Sequence, residues 1–240
     1  MARGYPDYQN PVNQIAGRLV DFSGIQTAIL GLATLDGLGR LVWFDRFHEG
    51  VSAWELANAG AASLPDIYAA VSEIPPSCLR LRNAGAGAGD YSLIRRSFQF
   101  VNPLIWGLEW SVLRNSGNNW VAVQVTTVQS GFLRYMSVWY YPAARLIQLS
   151  HAGGQTTFVT LSATTMAGFW IPFKLVLDNV NGIGQRLVVG NQVFSITDYH
   201  QLTVATAVSD QLYVLLISRS QGAGSLDQYI GHVYLTLDEP

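Results

Sequence analysis

Leu104-Ile105-Trp106-Gly107-Leu108-Glu109-Trp110-Ser111-Val112 is the stretch that decides the fold. Leu104, Trp106, Leu108, Trp110 and Val112 share one parity, while Ile105, Gly107, Glu109 and Ser111 share the other. Successive side chains of a strand point to opposite faces, so a period of two predicts a strand with one buried and one wetter face. Burying each large side chain contributes about 1.5–3 kcal/mol. A slip of one residue would turn the whole set outward, so the register is well specified.

The same period recurs along the chain. Val121, Val123 and Val125 are opposed by Ala122, Gln124 and Thr126. Phe169, Ile171, Phe173, Leu175 and Leu177 form another such face, as do Tyr229, Val233, Leu235 and Leu237. Asn181-Gly182 marks a turn, and Gly190-Asn191 between two apolar runs predicts a two-residue hairpin. The run Ala84-Gly85-Ala86-Gly87-Ala88-Gly89-Asp90 reads as a flexible loop between strands. One helical window, Leu64 to Val71, is too short and interrupted to define a layer. About a dozen strands with no helices between them predict an antiparallel β-sandwich rather than a parallel sheet. No internal repeat or linker divides it.

Residues 1–38 differ from the rest. They hold Pro6, Pro11, several Asn and Gln residues and an apolar run from Ile25 to Leu35. This predicts an N-terminal arm ahead of a sandwich over residues 39–240. Tyr5, Tyr8 and Phe22 are the arm residues that could dock on a neighbouring subunit; a strap across its own domain stays equally open. The start, Met1-Ala2-Arg3-Gly4-Tyr5-Pro6-Asp7-Tyr8, is not expected to be a signal peptide, because no apolar stretch follows its basic residue directly. The Ile25–Leu35 run is far short of the roughly 20 residues that cross a bilayer.

The 240 residues suffice for one sizeable all-β domain. Hydrophobic residues make up 49% and charged ones 12%, about half the usual charged share. A net charge of −2 gives little electrostatic reason to bind nucleic acid or an anionic membrane, so neither is expected as a partner. Low charge with abundant aromatics fits a surface partly covered by other protein, and fits a large core equally well. Lys174 is the only lysine; arginine suits interfaces, and a GC-rich genome gives the same bias. Cys78 is the only cysteine, which excludes an intrachain disulfide and a cysteine-based zinc site.

Three passages resemble the concanavalin A-like (laminin-G/pentraxin-type) jelly-roll superfamily. Leu41-Val42-Trp43-Phe44-Asp45-Arg46-Phe47 through Ser52-Ala53-Trp54 is similar to its opening strand pair. Cys78-Leu79-Arg80-Leu81, the glycine loop and Ile94-Arg95-Arg96-Ser97-Phe98 are similar to the strands that follow. Phe169 to Asp178, the Gly190-Asn191 hairpin and Tyr229 to Leu235 are similar to the late strands. The resemblance covers about residues 40–237 and implies a jelly-roll sandwich. The roles it implies include sugar binding, glycan hydrolysis, adhesion and the outer proteins of phage particles. The start of the arm also resembles phage-type virion structural proteins.

The chemistry expected from the residues is sparse. Glycan hydrolysis on this fold needs two carboxylates on one strand face. Glu49, Glu55, Glu73, Glu109 and Glu239 form no such pattern, although Glu109, opposite Trp106, Leu108 and Trp110, could meet a sugar alone. His48, His151, His200 and His232 lack metal-ligand spacing. There is no Gly-x-Ser-x-Gly elbow, and the Gly85–Gly89 run lacks the following helix that would hold a phosphate. No catalytic, cofactor or metal residue is therefore assigned. Asp178, Asn179 and Asn181 form a loop that could hold calcium, as in jelly-roll lectins, but serve equally as turn residues. Arg134, Trp139, Tyr140 and Tyr141 form the candidate aromatic contact surface, since consecutive aromatics point to both faces and a ring outside the core can stack on a sugar or a neighbouring subunit.

The reading expected from sequence is a non-enzymatic virion structural protein, a phage capsid decoration or outer subunit. It would self-associate, contact a virion shell or tail protein, and assemble in the host cytoplasm. A carbohydrate-binding lectin-like module is the alternative, with a degenerate glycoside hydrolase-like domain behind it.

Overall fold

The computed structural model describes residues 40–71, 77–98, 105–161, 168–237 and 239. The expected arm, with Tyr5, Tyr8 and Phe22, lies outside them. Among the described residues, sixteen strands form two eight-stranded sheets. The first sheet contains β1 (Arg40–Asp45), β3 (Asp66–Tyr68), β4 (Cys78–Leu81), β6 (Ile105–Leu113), β11 (Trp170–Asp178), β12 (Ile183–Val189), β13 (Gln192–Ser195) and β16 (Gln228–Leu237). It runs in the order β13-β12-β11-β6-β16-β4-β3, with β1 also on β16. The second contains β2 (Glu55–Ala59), β5 (Tyr91–Phe98), β7 (Asn119–Gln129), β8 (Phe132–Tyr141), β9 (Leu146–His151), β10 (Gly154–Thr160), β14 (Leu202–Ala205) and β15 (Gln211–Ser220). Its order is β10-β9-β8-β7-β15-β5-β2, with β14 on β8. All the pairings are antiparallel. The architecture is the all-β sandwich that the alternation predicts, with more strands because β3, β13 and β14 are three or four residues long.

The core lies between the sheets. Trp106, Leu108, Trp110 and Val112 of β6 are buried with Phe173 and Leu175 of β11, against Val121, Val123 and Val125 of β7 and Met136, Val138 and Tyr140 of β8. Trp110 sits directly opposite Phe173 in register. Their rings stack at 5.2 Å with an interplanar angle of 4°. Val189 pairs with Gln192 across Gly190-Asn191, the expected two-residue hairpin. A second one, Gln129 with Phe132 across Ser130-Gly131, has φ of 52° and 80° at its two central residues. Positive φ at both central positions matches the twist of the flanking strands.

Two local expectations are corrected. The helical window Leu64–Val71 contains β3 instead. Asp66 faces Arg80 of β4 in register. It accepts Arg80 Nε at 2.8 Å and Nη2 at 2.6 Å, and the guanidinium also lies 4.4 Å from the Tyr68 ring centroid. Cross-strand pairing overrides the weak helical preference. The glycine loop at residues 84–90 is pinned rather than free. Asp90 Oδ2 accepts the Gly87 and Ala61 amides, Asp227 Oδ1 accepts those of Asn83 and Ala84, and Ser220 Oγ donates to the Ala86 carbonyl.

Cys78 is fully buried and its thiol donates to the Val71 carbonyl. Burial pushes the thiol up to about 12; Arg80 draws it down and Asp66 pushes it further up. A thiolate is the reactive form. An aromatic disulfide reagent at pH 8 is expected to leave the native chain unlabelled and to label its single cysteine after denaturation. Native labelling as fast as that of a free thiol would contradict the burial.

Candidate functional site

The outer face of the second sheet carries half-buried aromatic rings beside polar groups. In β7, Val121, Val123 and Val125 turn inward, so Trp120, Ala122, Gln124 and Thr126 turn outward. In β8, Met136, Val138 and Tyr140 turn inward, leaving Ser137, Trp139 and Tyr141 outside. Trp139 lies opposite Ala122 in register, and this small neighbour leaves room for the indole to lean onto Trp120. The two indoles are 4.2 Å apart at 35°, and the Tyr141 ring follows 6.3 Å from Trp139 at 20°. All three are half-buried. Their orientation is fixed locally: Trp139 Nε1 donates to Ser137 Oγ at 2.7 Å. Burial raises the Tyr141 hydroxyl, against the opposing effect of its hydrogen bond with Gln155.

Further along the same face, a cleft of about 560 Å³ lies over β2, β5, β7 and β15. Gln124, Thr126, Leu93, Tyr213 and Leu215 line it. Gln124 Nε2 donates to Thr126 Oγ1 at 2.7 Å. At one wall, Arg95 Nε donates to Glu55 Oε2 at 3.0 Å, with the guanidinium carbon 5.2 Å from the Tyr213 ring centroid. Among the described residues, Glu55 is the one carboxylate lining this cleft. Cleavage of a glycosidic bond by the usual route needs a second, roughly 5–9.5 Å away. The face offers ring surfaces, an amide, hydroxyls and one ion pair, which suits holding a polar, ring-shaped ligand.

The residues expected from sequence separate in space. Trp139 and Tyr141 lie together on the outer face, but Tyr140 does not. It is 2% exposed in the core, where burial pushes its hydroxyl up to about 12 against the pull of Arg114. Adjacent strand residues must take opposite faces, so one of the three had to be internal. Arg134 shares Tyr140's parity and reaches across to the other sheet, donating Nη1 to the Asn179 carbonyl at 2.6 Å. It stands apart from the aromatic strip. Trp120, Gln124, Tyr213 and the Glu55–Arg95 pair were not singled out from sequence. The signal for Trp120 was present, because the wet parity Ala122, Gln124, Thr126 begins with it.

Glu109 does not meet a sugar. It is 1% exposed and lies opposite Lys174 in register, its carboxylate 2.9 Å from Lys174 Nζ. Lys174 Nζ is also 2.9 Å from Glu239, which pairs with Arg186 at 2.6 Å. The Asp178 loop is turn chemistry. Its carboxylate accepts the Asn181 amide at 3.0 Å, Asn181 Nδ2 at 2.7 Å and Gln185 Nε2 at 3.3 Å. Burial pushes that carboxyl up, but the hydrogen bonds from Asn181, Val180 and Gln185 outweigh it and hold it below the usual range. Its contribution to stability is therefore present at neutral pH and lost as the pH falls through its folded-state value. His48 and His200 are exposed, His151 bonds Thr156 Oγ1 at 3.0 Å, and buried His232 stacks on Tyr234 at 4.4 Å. Among the described residues, no three His, Cys, Asp or Glu side chains gather into a metal-binding group.

No protein-family model and no curated protein matches the chain. Solved structures do. The endo-beta-1,3-glucanase from Pyrococcus furiosus is 13% identical, with a TM-score of 0.53 over 86% of this chain and 98% of that one. The laminarinase catalytic domain from Thermotoga maritima is 13% identical, with a TM-score of 0.52 over 84% and 99%. Lectin I-B4 from Griffonia simplicifolia, in its metal-free form, is 11% identical, with a TM-score of 0.50 over 82% and 100%. At such identities the likeness concerns the backbone. The two stacked antiparallel sheets, in this strand order, have the concanavalin A-like lectin/glucanase jelly-roll fold.

Proposed function

We propose that the chain is a non-catalytic carbohydrate-binding module, and that an uncharged glycan lies along the outer face of the second sheet. The observation that carries this is the Trp120–Trp139–Tyr141 strip beside a cleft lined by Gln124, Thr126 and Tyr213. Sugar rings present apolar C–H faces and equatorial hydroxyls. Half-buried aromatic rings take the first, and amide and hydroxyl groups take the second. The lone Glu55 is tied to Arg95, which favours binding over hydrolysis. Two of the structurally similar proteins are named for sugar cleavage and one is named a lectin, and this supports a saccharide as the ligand. No described residue favours the virus-particle reading over this one.

The test is a glycan array with calcium and with chelator, followed by titration of the best ligand. Binding to one class of neutral oligosaccharide is expected with or without calcium. Trp139→Ala and Trp120→Ala each weaken it by about 0.5–1.5 kcal/mol, up to roughly tenfold, with the fold retained. An array blank under both conditions would contradict the proposal, and so would release of reducing sugar.

A further inference from the structure

A second cavity, of about 340 Å³, opens where β1 leads into the loop before β2. Trp43, Phe44, Asp45, Arg46, His48 and Arg96 are on its walls. The charges there are unevenly matched. Asp45 Oδ1 accepts the Phe47 amide at 2.7 Å, Oδ2 accepts Trp54 Nε1 at 2.8 Å, and Arg96 Nη1 lies 4.0 Å from Oδ2. The Arg96 guanidinium also packs over the Trp43 ring at 4.7 Å. Both oxygens of Asp45 are thus engaged. Arg46 is different: its Nε and Nη2 are buried and have no hydrogen-bond partner among the described residues. Those two nitrogens form the side-on fork of a guanidinium. Arg80 uses the same edge to hold both oxygens of Asp66. A planar carboxylate is the group that this edge fits.

The backbone at this place is also held in an uncommon form. Phe47 has φ of 62° and is fully buried. A bulky residue adopts that region only when its surroundings impose it. Asp45 grips its amide, and its ring packs 5.9 Å from Trp54. The loop is thereby fixed with Arg46 and His48 on either side of Phe47 and both on the cavity wall. Phe44, 54% exposed, adds a ring face beside them. Glu49, the other carboxylate on the wall, is exposed, so solvent screens it.

We infer that this cavity binds a sugar acid, with the carboxylate on the Arg46 fork and the pyranose ring against Phe44. Because Nε and Nη2 are buried, binding on this edge requires a turn about the outer torsions of Arg46. This site is on the β1–β2 loop and shares no lining residue with the cleft on the second sheet's outer face.

The test titrates the full chain with glucuronate, glucose and acetate, following tryptophan fluorescence and binding heat. Glucuronate is expected to bind and acetate about tenfold more weakly, while any response to glucose comes from the second sheet's outer face and is the same in Arg46→Met as in the parent. Arg46→Lys keeps the charge but loses the fork and binds glucuronate about tenfold more weakly; Arg46→Met does not bind it. Trp139→Ala leaves glucuronate binding unchanged. Without ligand, Arg46→Met melts at the same temperature as the parent or higher, because a buried donor edge lacking an acceptor has been removed. A clear fall in its melting temperature would show that Arg46 is structural and overturn the inference. So would glucuronate binding that survives Arg46→Met, or no glucuronate binding by the parent. Acetate binding as tightly as glucuronate would overturn the sugar-acid assignment.

Discussion

Lys174→Ala is expected to lower the free energy of unfolding by about 3–5 kcal/mol, the usual cost of breaking a buried ion pair from one side. Lys174 is fully buried and lies 2.9 Å from both Glu109 and Glu239. Its removal leaves two buried carboxylates short of a cation, and for a chain of this length the melting temperature falls by on the order of ten degrees. The loss depends on pH. Burial already raises the Glu239 carboxyl, while Lys174, Thr236 and Arg186 draw it down. Without Lys174 the folded-state value rises further above the unfolded one. The folded variant then holds protons that the unfolded chain has released, so its stability falls as the pH rises between those two values. The deficit relative to the parent is expected to be smaller at pH 5 than at pH 8. Urea unfolding of both proteins at the two pH values measures it. A deficit equal at both would show that the carboxylates are not the cause.

Trp110→Ala is expected to cost about 3–5 kcal/mol, with no such pH dependence. Trp110 is 1% exposed on β6, in the middle of the first sheet, and its indole lies flat on Phe173. Truncation removes the buried area, the ring stack and the support of the core at once, leaving a cavity between two β-sheets that hydrogen bonds hold apart. Phe173→Ala removes the other half of the stack, so the double variant should lose less than the sum of the two single losses. Chemical denaturation of the four proteins gives the coupling directly. Additive losses would mean that the rings do not support one another.

These two residues show how far the sequence could be read. Trp110 was legible as core because its parity repeats across a nine-residue strand, and parity alone decides which face is buried. Lys174 and Glu109 were legible only as occupants of the other face. Nothing local says that β6 and β11 are neighbours or that their register places these two charges opposite each other. The expectation that Glu109 could meet a sugar failed for that reason. The outer face of the second sheet was legible in pieces. Trp139 and Tyr141 were visible as consecutive aromatics and Trp120 as the start of a wet parity, but Tyr213 comes from a strand that only topology brings alongside. The short edge strand β3 was unreadable because its stabilising partner, Arg80, lies on the next strand and not within the segment itself.

A glycan bound as proposed touches the outer face of the second sheet. A nuclear magnetic resonance titration of the full chain with the oligosaccharide selected on the array reads this through the indole N–H signals. Trp120 and Trp139 are expected to shift with ligand concentration, while Trp106 and Trp110, buried between the sheets, stay in place. Shifts confined to residues of the first sheet, with Trp120 and Trp139 unmoved at saturation, would contradict the assignment.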